Sequence, residues 1–168
     1  YDVKTIELGV QSLDGEVLRK SSRGHGIEEV LEASHLIKKF KFVLGIQTMI
    51  GLPGDTREKD LYTAGRVIEL KPEVLRIYPA LVIRNTELES MYNSGEYIPL
   101  TLDEAVDICA DLLQMYEQHG IKVLRIGLQP TEEINESSSV VAGPFHPAFR
   151  NLVESRLVLR KIVEIIEE

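Results

Sequence analysis

One cysteine, Cys109, occurs in 168 residues. A single thiol excludes an intramolecular disulfide framework and a cysteine-only metal site within this chain. A reducing, cytoplasmic setting is the expectation. Long apolar runs are also missing: none approaches the ~18 residues that suggest a membrane span. The N-terminus lacks the basic, apolar, small-residue order of a signal peptide. It lacks an initiator Met too, so the chain reads as a piece of a longer protein. Positive charge is scarce. The net charge is −8, and from Thr86 to Gln118 eight acids stand without one Lys or Arg. A generally basic nucleic-acid surface is thereby disfavoured, and the acidic stretch reads as a solvated helical face.

What is present alternates. Strand patterns over Lys4–Gln11, Phe42–Ile50, Val74–Pro79 and Lys122–Leu128 are separated by helical patterns over Asp14–Lys20, Ile27–Phe40, Arg57–Leu70, Thr86–Ser94 and Thr101–His119. Apolar residues recur at three and four positions within the helical segments. Thr86 with Glu89, and Thr101 with Glu104, form capping-box pairs. Gly51-Leu52-Pro53-Gly54, Gly95 and Gly120 mark stops. Residues 129–144 read as a loop, and His146 to Glu168 as a last helix packing through Phe149, Leu152, Val153, Leu157, Ile162, Val163 and Ile166. Alternating strands and helices predict an α/β fold with a parallel sheet and right-handed crossovers. The expected division is 1–128 as part of a (β/α) TIM-type barrel, with about four strands, and 129–168 as a loop and helix packing on it.

The strands carry an unusual second face. Side chains two apart share a side. Glu7, Gly9 and Gln11 therefore oppose Ile6, Leu8 and Val10. Gly45, Gln47 and Met49 oppose Leu44, Ile46 and Ile50. Arg76 and Tyr78 oppose Leu75 and Ile77, and Arg125, Gly127 and Gln129 oppose Leu124, Ile126 and Leu128. Helices must cover the apolar side. The other side is too polar for a dry core, since an unpaired buried polar group costs ~1–3 kcal/mol, yet parallel sheets are rarely open to water on one face. Two readings satisfy both constraints: a barrel or half-barrel interior holding a polar ligand, or a lumen whose polar side chains pair among themselves.

The segments ELGVQS (Glu7–Ser12), RGH (Arg23–His25), GIQTMIGLPG (Gly45–Gly54) and LRIYPALVIRNTELESMYNSGEYIPLT (Leu75–Thr101) resemble, in order and spacing, the second half of a radical S-adenosylmethionine barrel. The resemblance is nearest to the radical domain of the Elongator catalytic subunit and its bacterial relatives. It extends more loosely to oxygen-independent coproporphyrinogen III oxidase. It implies cleavage of S-adenosylmethionine at a four-iron, four-sulfur cluster to give a 5′-deoxyadenosyl radical. Carried onto this chain, it implies that Gln11 contacts the ribose, Arg23 meets the methionine carboxylate, Glu7 faces amino or hydroxyl groups and Gln47 supports the ribose. Gly51, Leu52 and Pro53 shape the adenine edge, while Gly9 and Gly45 leave room. The family's CxxxCxxC cluster loop is not in this sequence, so the cluster belongs to the full-length parent and this chain alone is expected to be inactive. The substrate stays open between a tRNA base, contacted through the missing half, and a porphyrinogen.

Several residues keep two readings. Arg76 and Arg125 either pair with lumen carboxylates or bind an anionic substrate. Tyr78 is structural or faces substrate. His146, stiffened by Pro144 and Pro147, is a loop residue or faces substrate near the barrel mouth. His25 reads as a helix start. Cys109 falls in the stripe Leu102, Ala105, Val106, Leu112, Leu113 and Tyr116, and reads as packed core. The last helix or an exposed sheet edge is also a candidate homodimer surface. A non-redox module binding a small anion through Arg23, Arg76 and Arg125, or a scaffold domain, is the alternative to the enzyme reading.

Overall fold

The computed structural model describes residues 2–128 and 139–167. Four parallel strands form the sheet in the order β1-β2-β3-β5: β1 is Thr5–Gln11, β2 Val43–Ile50, β3 Val74–Pro79 and β5 Lys122–Ile126. Helices α1 (Gly15–Lys20), α2 (Ile27–Lys39) and α3 (Arg57–Glu69) form the first two crossovers; α4 (Glu87–Ser94) and α5 (Leu102–Gln118) form the third. This is the predicted partial barrel. Among the described residues no helix is long and apolar enough to cross a membrane.

Local chemistry accounts for the helix ends. Asp14 caps α1 by accepting from the amides of Glu16 and Val17. Thr101 and Glu104 exchange the two hydrogen bonds of a capping box at the start of α5. Gly95 and Gly120 take left-handed φ values of 80° and 70° just past α4 and α5, a conformation costing glycine nothing. The apolar sheet face packs under α2, α3 and α5. Leu44, Ile46, Leu75 and Ile77 are at most 1% exposed, each burial contributing roughly 1.5–3 kcal/mol.

Three expectations change. Leu75 pairs with Val123, but Arg76 pairs with Arg125, so Leu124 is bulged out and exposed. Val123 and Ile126 therefore turn toward the helices, in place of the predicted set of Leu124, Ile126 and Leu128. Residues 139–144 contain a short strand, β6 (Val140–Ala142), paired antiparallel with β4 (Val82–Ile83). The rest of the predicted loop, 129–138 with Gln129, lies outside the described residues. Helix α6 (Phe149–Glu167) buries Phe149 and Val153, whereas Ile162, Val163 and Ile166 are exposed. The packing stripe thus ends about midway along the helix.

The acidic face of α5 is not wholly solvated. Asp103, Asp107 and Asp111 stand one turn apart and face Arg156 and Arg160 of α6, themselves one turn apart. Arg160 reaches Asp107 at 2.6 Å and Asp111 at 2.7 Å, Arg156 bridges Asp103 and Asp107, and Arg57 of α3 adds to Asp111. This ladder holds the first half of α6 against α5.

Candidate functional site

The polar face is built by strand register. Glu7 lies beside Gly45 and Val74; Gly9 lies beside Gln47, Arg76 and Arg125; Met49 lies beside Tyr78. Glu7 crosses over β2 at Gly45, where a Cβ would stand 3.2 Å from Glu7 Cγ. Its Oε1 reaches to 3.5 Å from Arg76 Nε. Tyr78 is 8% exposed and closes the face near the C-terminal end of β3.

Gln11 ends β1 in an uncommon way. Its φ is 65°, and Ser12 N donates across it to Val10 O at 2.8 Å. Together these give the rare, strained form of γ-turn. A residue held in such a conformation costs of order 1–3 kcal/mol and persists only when its surroundings enforce it. They do so here: Ser12 Oγ lies 3.2 Å from Thr63 Oγ1, which also accepts from Leu13 N. The side chain turns back over Gly9, whose Cβ would lie 2.9 Å from Gln11 Nε2. Gln11 is 5% exposed, and its Oε1 is buried without a hydrogen-bond partner.

Arg23, Leu52 and Pro53 come together at the strand ends. With Lys20, Met49 and Met91 they border a cleft of about 410 Å³. Arg23 is exposed, and its Nη2 lies 3.8 Å from Met49 Sδ. Gly51 turns away, toward Leu100, and its carbonyl accepts from Tyr97 Oη at 2.6 Å. His146 lies elsewhere: its Nδ1 accepts from Ala148 N at 3.1 Å, at the entry to α6. His25 sits at the free edge of β1, 3.4 Å from Val10 O.

Sequence reasoning missed a carboxyl pair beneath the GLPG turn. Asp55 braces the turn by accepting from Thr56 N at 2.9 Å, and Asp60 of α3 is 5% exposed. Burial, then the negative charge of Asp55, then the hydrogen bond between them push Asp60 up to about 10. Burial also raises Asp55, against the hydrogen bonds from Asp60 and nearby backbone amides. Two carboxyls this close share one proton. Protonated Asp60 donates to Asp55, whose Oδ2 otherwise has no partner. The signal available in sequence was the spacing Asp55-x4-Asp60, which reads equally as a capped helix start.

S-adenosylmethionine suits the polar face: the orphaned Gln11 carbonyl can accept from a hydroxyl, and Arg23 offers a guanidinium at the mouth. An iron–sulfur cluster does not suit this chain. Cys109 is fully buried, and burial, with the charge of Asp60, holds its thiol well above the usual range, whereas cluster ligands are thiolates. Among the described residues no three His, Cys, Asp or Glu side chains are placed to hold a metal ion.

Residues 72–158 match the Radical_SAM C-terminal domain. The chain belongs to that family. It is 38% identical over 106 residues to the tRNA uridine(34) acetyltransferase of Methanocaldococcus jannaschii, covering 61% of this chain and 20% of that protein. It is 33% identical over 118 residues to human Elongator complex protein 3, covering 68% and 22%. The structure of the archaeal Methanocaldococcus infernus Elp3 with an N-terminal deletion superposes with a TM-score of 0.80 at 26% identity, over 94% of this chain and 36% of that one. Escherichia coli coproporphyrinogen III oxidase, a radical SAM enzyme, shares the fold at TM-score 0.56 and 22% identity, over 70% of this chain and 27% of that one. The chain thus spans about a fifth of the length of these curated relatives.

Proposed function

We propose that this chain supplies the S-adenosylmethionine wall of a radical enzyme whose cluster is held by another part of the full-length protein. When bound there, S-adenosylmethionine supplies the hydrogen-abstracting 5′-deoxyadenosyl group. The chain's own residues bind and orient. Gln11 accepts a ribose hydroxyl on Oε1, and Gln47, two positions along the neighbouring strand from Gly45, supports the same sugar. Arg23 meets the methionine carboxylate, for which a guanidinium fork offers two parallel donors. Glu7 faces an amino or hydroxyl group. Leu52 and Pro53 border the adenine.

One observation carries this reading: a glutamine 5% exposed, with its carbonyl oxygen unpaired, is held in a strained turn at the mouth end of a polar sheet face. A glycine there would remove both costs, and an apolar side chain would remove the unpaired oxygen. The family membership of residues 72–158 supports it. For the substrate, the relatives named as tRNA uridine(34) acetyltransferases favour a tRNA base, contacted chiefly through other parts of the protein, because this chain carries −8. The test is anaerobic reconstitution of the full-length protein with iron and sulfide, followed by assay for 5′-deoxyadenosine. Formation of that product in a Gln11-dependent manner is expected; a reconstituted protein that binds no S-adenosylmethionine would overturn the proposal.

A further inference from the structure

We infer that Arg76 and Arg125 form an anion-binding site on the polar face, distinct from the cofactor contacts, that takes a phosphate or carboxylate group of the substrate. The inference rests on reading that face as the ligand-binding wall. The two arginines are direct register partners on adjacent strands β3 and β5, whose backbones lie about 4.8 Å apart. Like charges placed side by side on one sheet face are destabilising. A wall with only a structural role would put a carboxylate on one of them.

One carboxylate, Glu7, is there, and it serves Arg76 incompletely. The Glu7 Oε1 to Arg76 Nε distance of 3.5 Å forms an ion pair without a hydrogen bond, so Arg76 Nε is shielded from water and unpartnered. Arg125 is half-buried, and among the described residues its side chain has no ion pair or hydrogen bond. The neighbouring positions Gly9, Gln47, Val74 and Tyr78 bring no charge. Among the described residues, two guanidinium groups thus face one carboxylate.

The contrast with other arginines is instructive. The half-buried Arg66, Arg150, Arg156 and Arg160 are each ion-paired, whereas Arg19, Arg23 and Arg84, without an ion pair among the described residues, are all exposed to water. Among the described residues, no carboxylate lies within ion-pair distance of Arg125. Paired planar forks recognise oxyanions by parallel N–H···O bonds. A bound oxyanion would satisfy Arg76 Nε, cancel the surplus charge and relieve the repulsion at once.

The test uses the full-length protein at constant ionic strength, with potassium chloride as the balancing salt. Inorganic phosphate and acetate are titrated separately by calorimetry, alongside S-adenosylmethionine, in the wild type and in Arg125→Gln and Arg125→Lys. The wild type should bind one of the two anions above the chloride control. Preference for phosphate assigns a phosphate-bearing substrate, and preference for acetate a carboxylate-bearing one. Arg125→Gln should weaken that binding tenfold or more and Arg125→Lys less, with S-adenosylmethionine affinity unchanged. In buffer without phosphate or acetate the Arg125→Gln unfolding midpoint should be equal or higher, because repulsion is removed. No anion binding by the wild type, or equal anion binding by Arg125→Gln, would overturn the inference. So would an equal fall in anion and S-adenosylmethionine affinities, which would give the arginines to the cofactor. Failure of the wild type to bind S-adenosylmethionine, with anion binding intact, would instead sink only the cofactor reading.

Discussion

The side-chain amide of Gln11 occupies the space above Gly9, its Nε2 only 2.9 Å from where a Cβ on Gly9 would stand. The absence of a side chain at Gly9 therefore sets where the Gln11 amide rests. Gly9→Ala should move the flexible end of Gln11 at little cost in stability, since Ala in a strand loses less conformational entropy than Gly. S-adenosylmethionine affinity of the full-length protein should fall about tenfold, about 1.4 kcal/mol. Parallel thermal unfolding and calorimetry check this; loss of stability without loss of affinity would count against it.

Gly45 has the complementary role for Glu7. A Cβ there would meet Glu7 Cγ and Val74 Cγ2, both at 3.2 Å. Gly45→Val should block the crossing of Glu7 to Arg76 and lower stability by roughly 1–3 kcal/mol through overpacking. Denaturant titration reads the change.

The Asp55–Asp60 pair predicts a pH dependence. Asp60 is raised from its ordinary 3.8 to about 10, first by burial and then by Asp55. In the folded state it keeps a proton that the unfolded chain releases, so folding binds a proton between these values. Its contribution is fully present below about pH 4 and is lost as pH rises toward 10. Asp60→Asn, which keeps a donor for Asp55 and cannot ionise, should remove that slope. Its stability advantage over the wild type should grow steadily as the pH rises through this window. Unfolding free energies from pH 5 to 9 test the sign.

The arginine–aspartate ladder fixes α6. Arg160→Ala should destabilise by about 1 kcal/mol, a modest value because the ladder is partly exposed. Protease sensitivity within 149–167 should increase. Asp107→Asn should mimic the effect, since Asp107 bridges both arginines. A double variant that loses no more than either single would show that the pair acts as one contact.

Much of this was legible before the fold was known. Period-two alternation in ELGV and GIQTM placed Glu7, Gly9 and Gln47 on one face, but the register shifts after Gly9, so Gln11 pairs with Thr48 and reaches that face only by its side chain turning back over Gly9. A full capping box at Thr101 fixed the start of α5, while Thr86 caps α4 by accepting from Glu89 N, with Glu89 reaching back to Asn85 N instead of completing a box. What stayed hidden depends on long-range geometry. The bulge at Leu124 follows from pairing with β3, and alternation alone put that residue on the wrong side. The Asp–Arg ladder joins residues about fifty positions apart, although its two halves each repeat every four residues. The γ-turn at Gln11 leaves no trace in the letters, since the strain is enforced by Thr63 on another element. The apolar residues of α6 beyond Leu157 followed the helical period but have no partner among the described residues, so periodicity overstated how far that helix packs.

The central claim is that the polar sheet face binds S-adenosylmethionine through Gln11. The most direct measurement is S-adenosylmethionine binding to the anaerobically reconstituted full-length protein, wild type against Gln11→Met. Methionine keeps the volume and removes the unpaired carbonyl, so the unfolding midpoint should stay level or rise. The affinity should fall by about 1–3 kcal/mol. Equal affinity in the two proteins, with both folded, would contradict the claim.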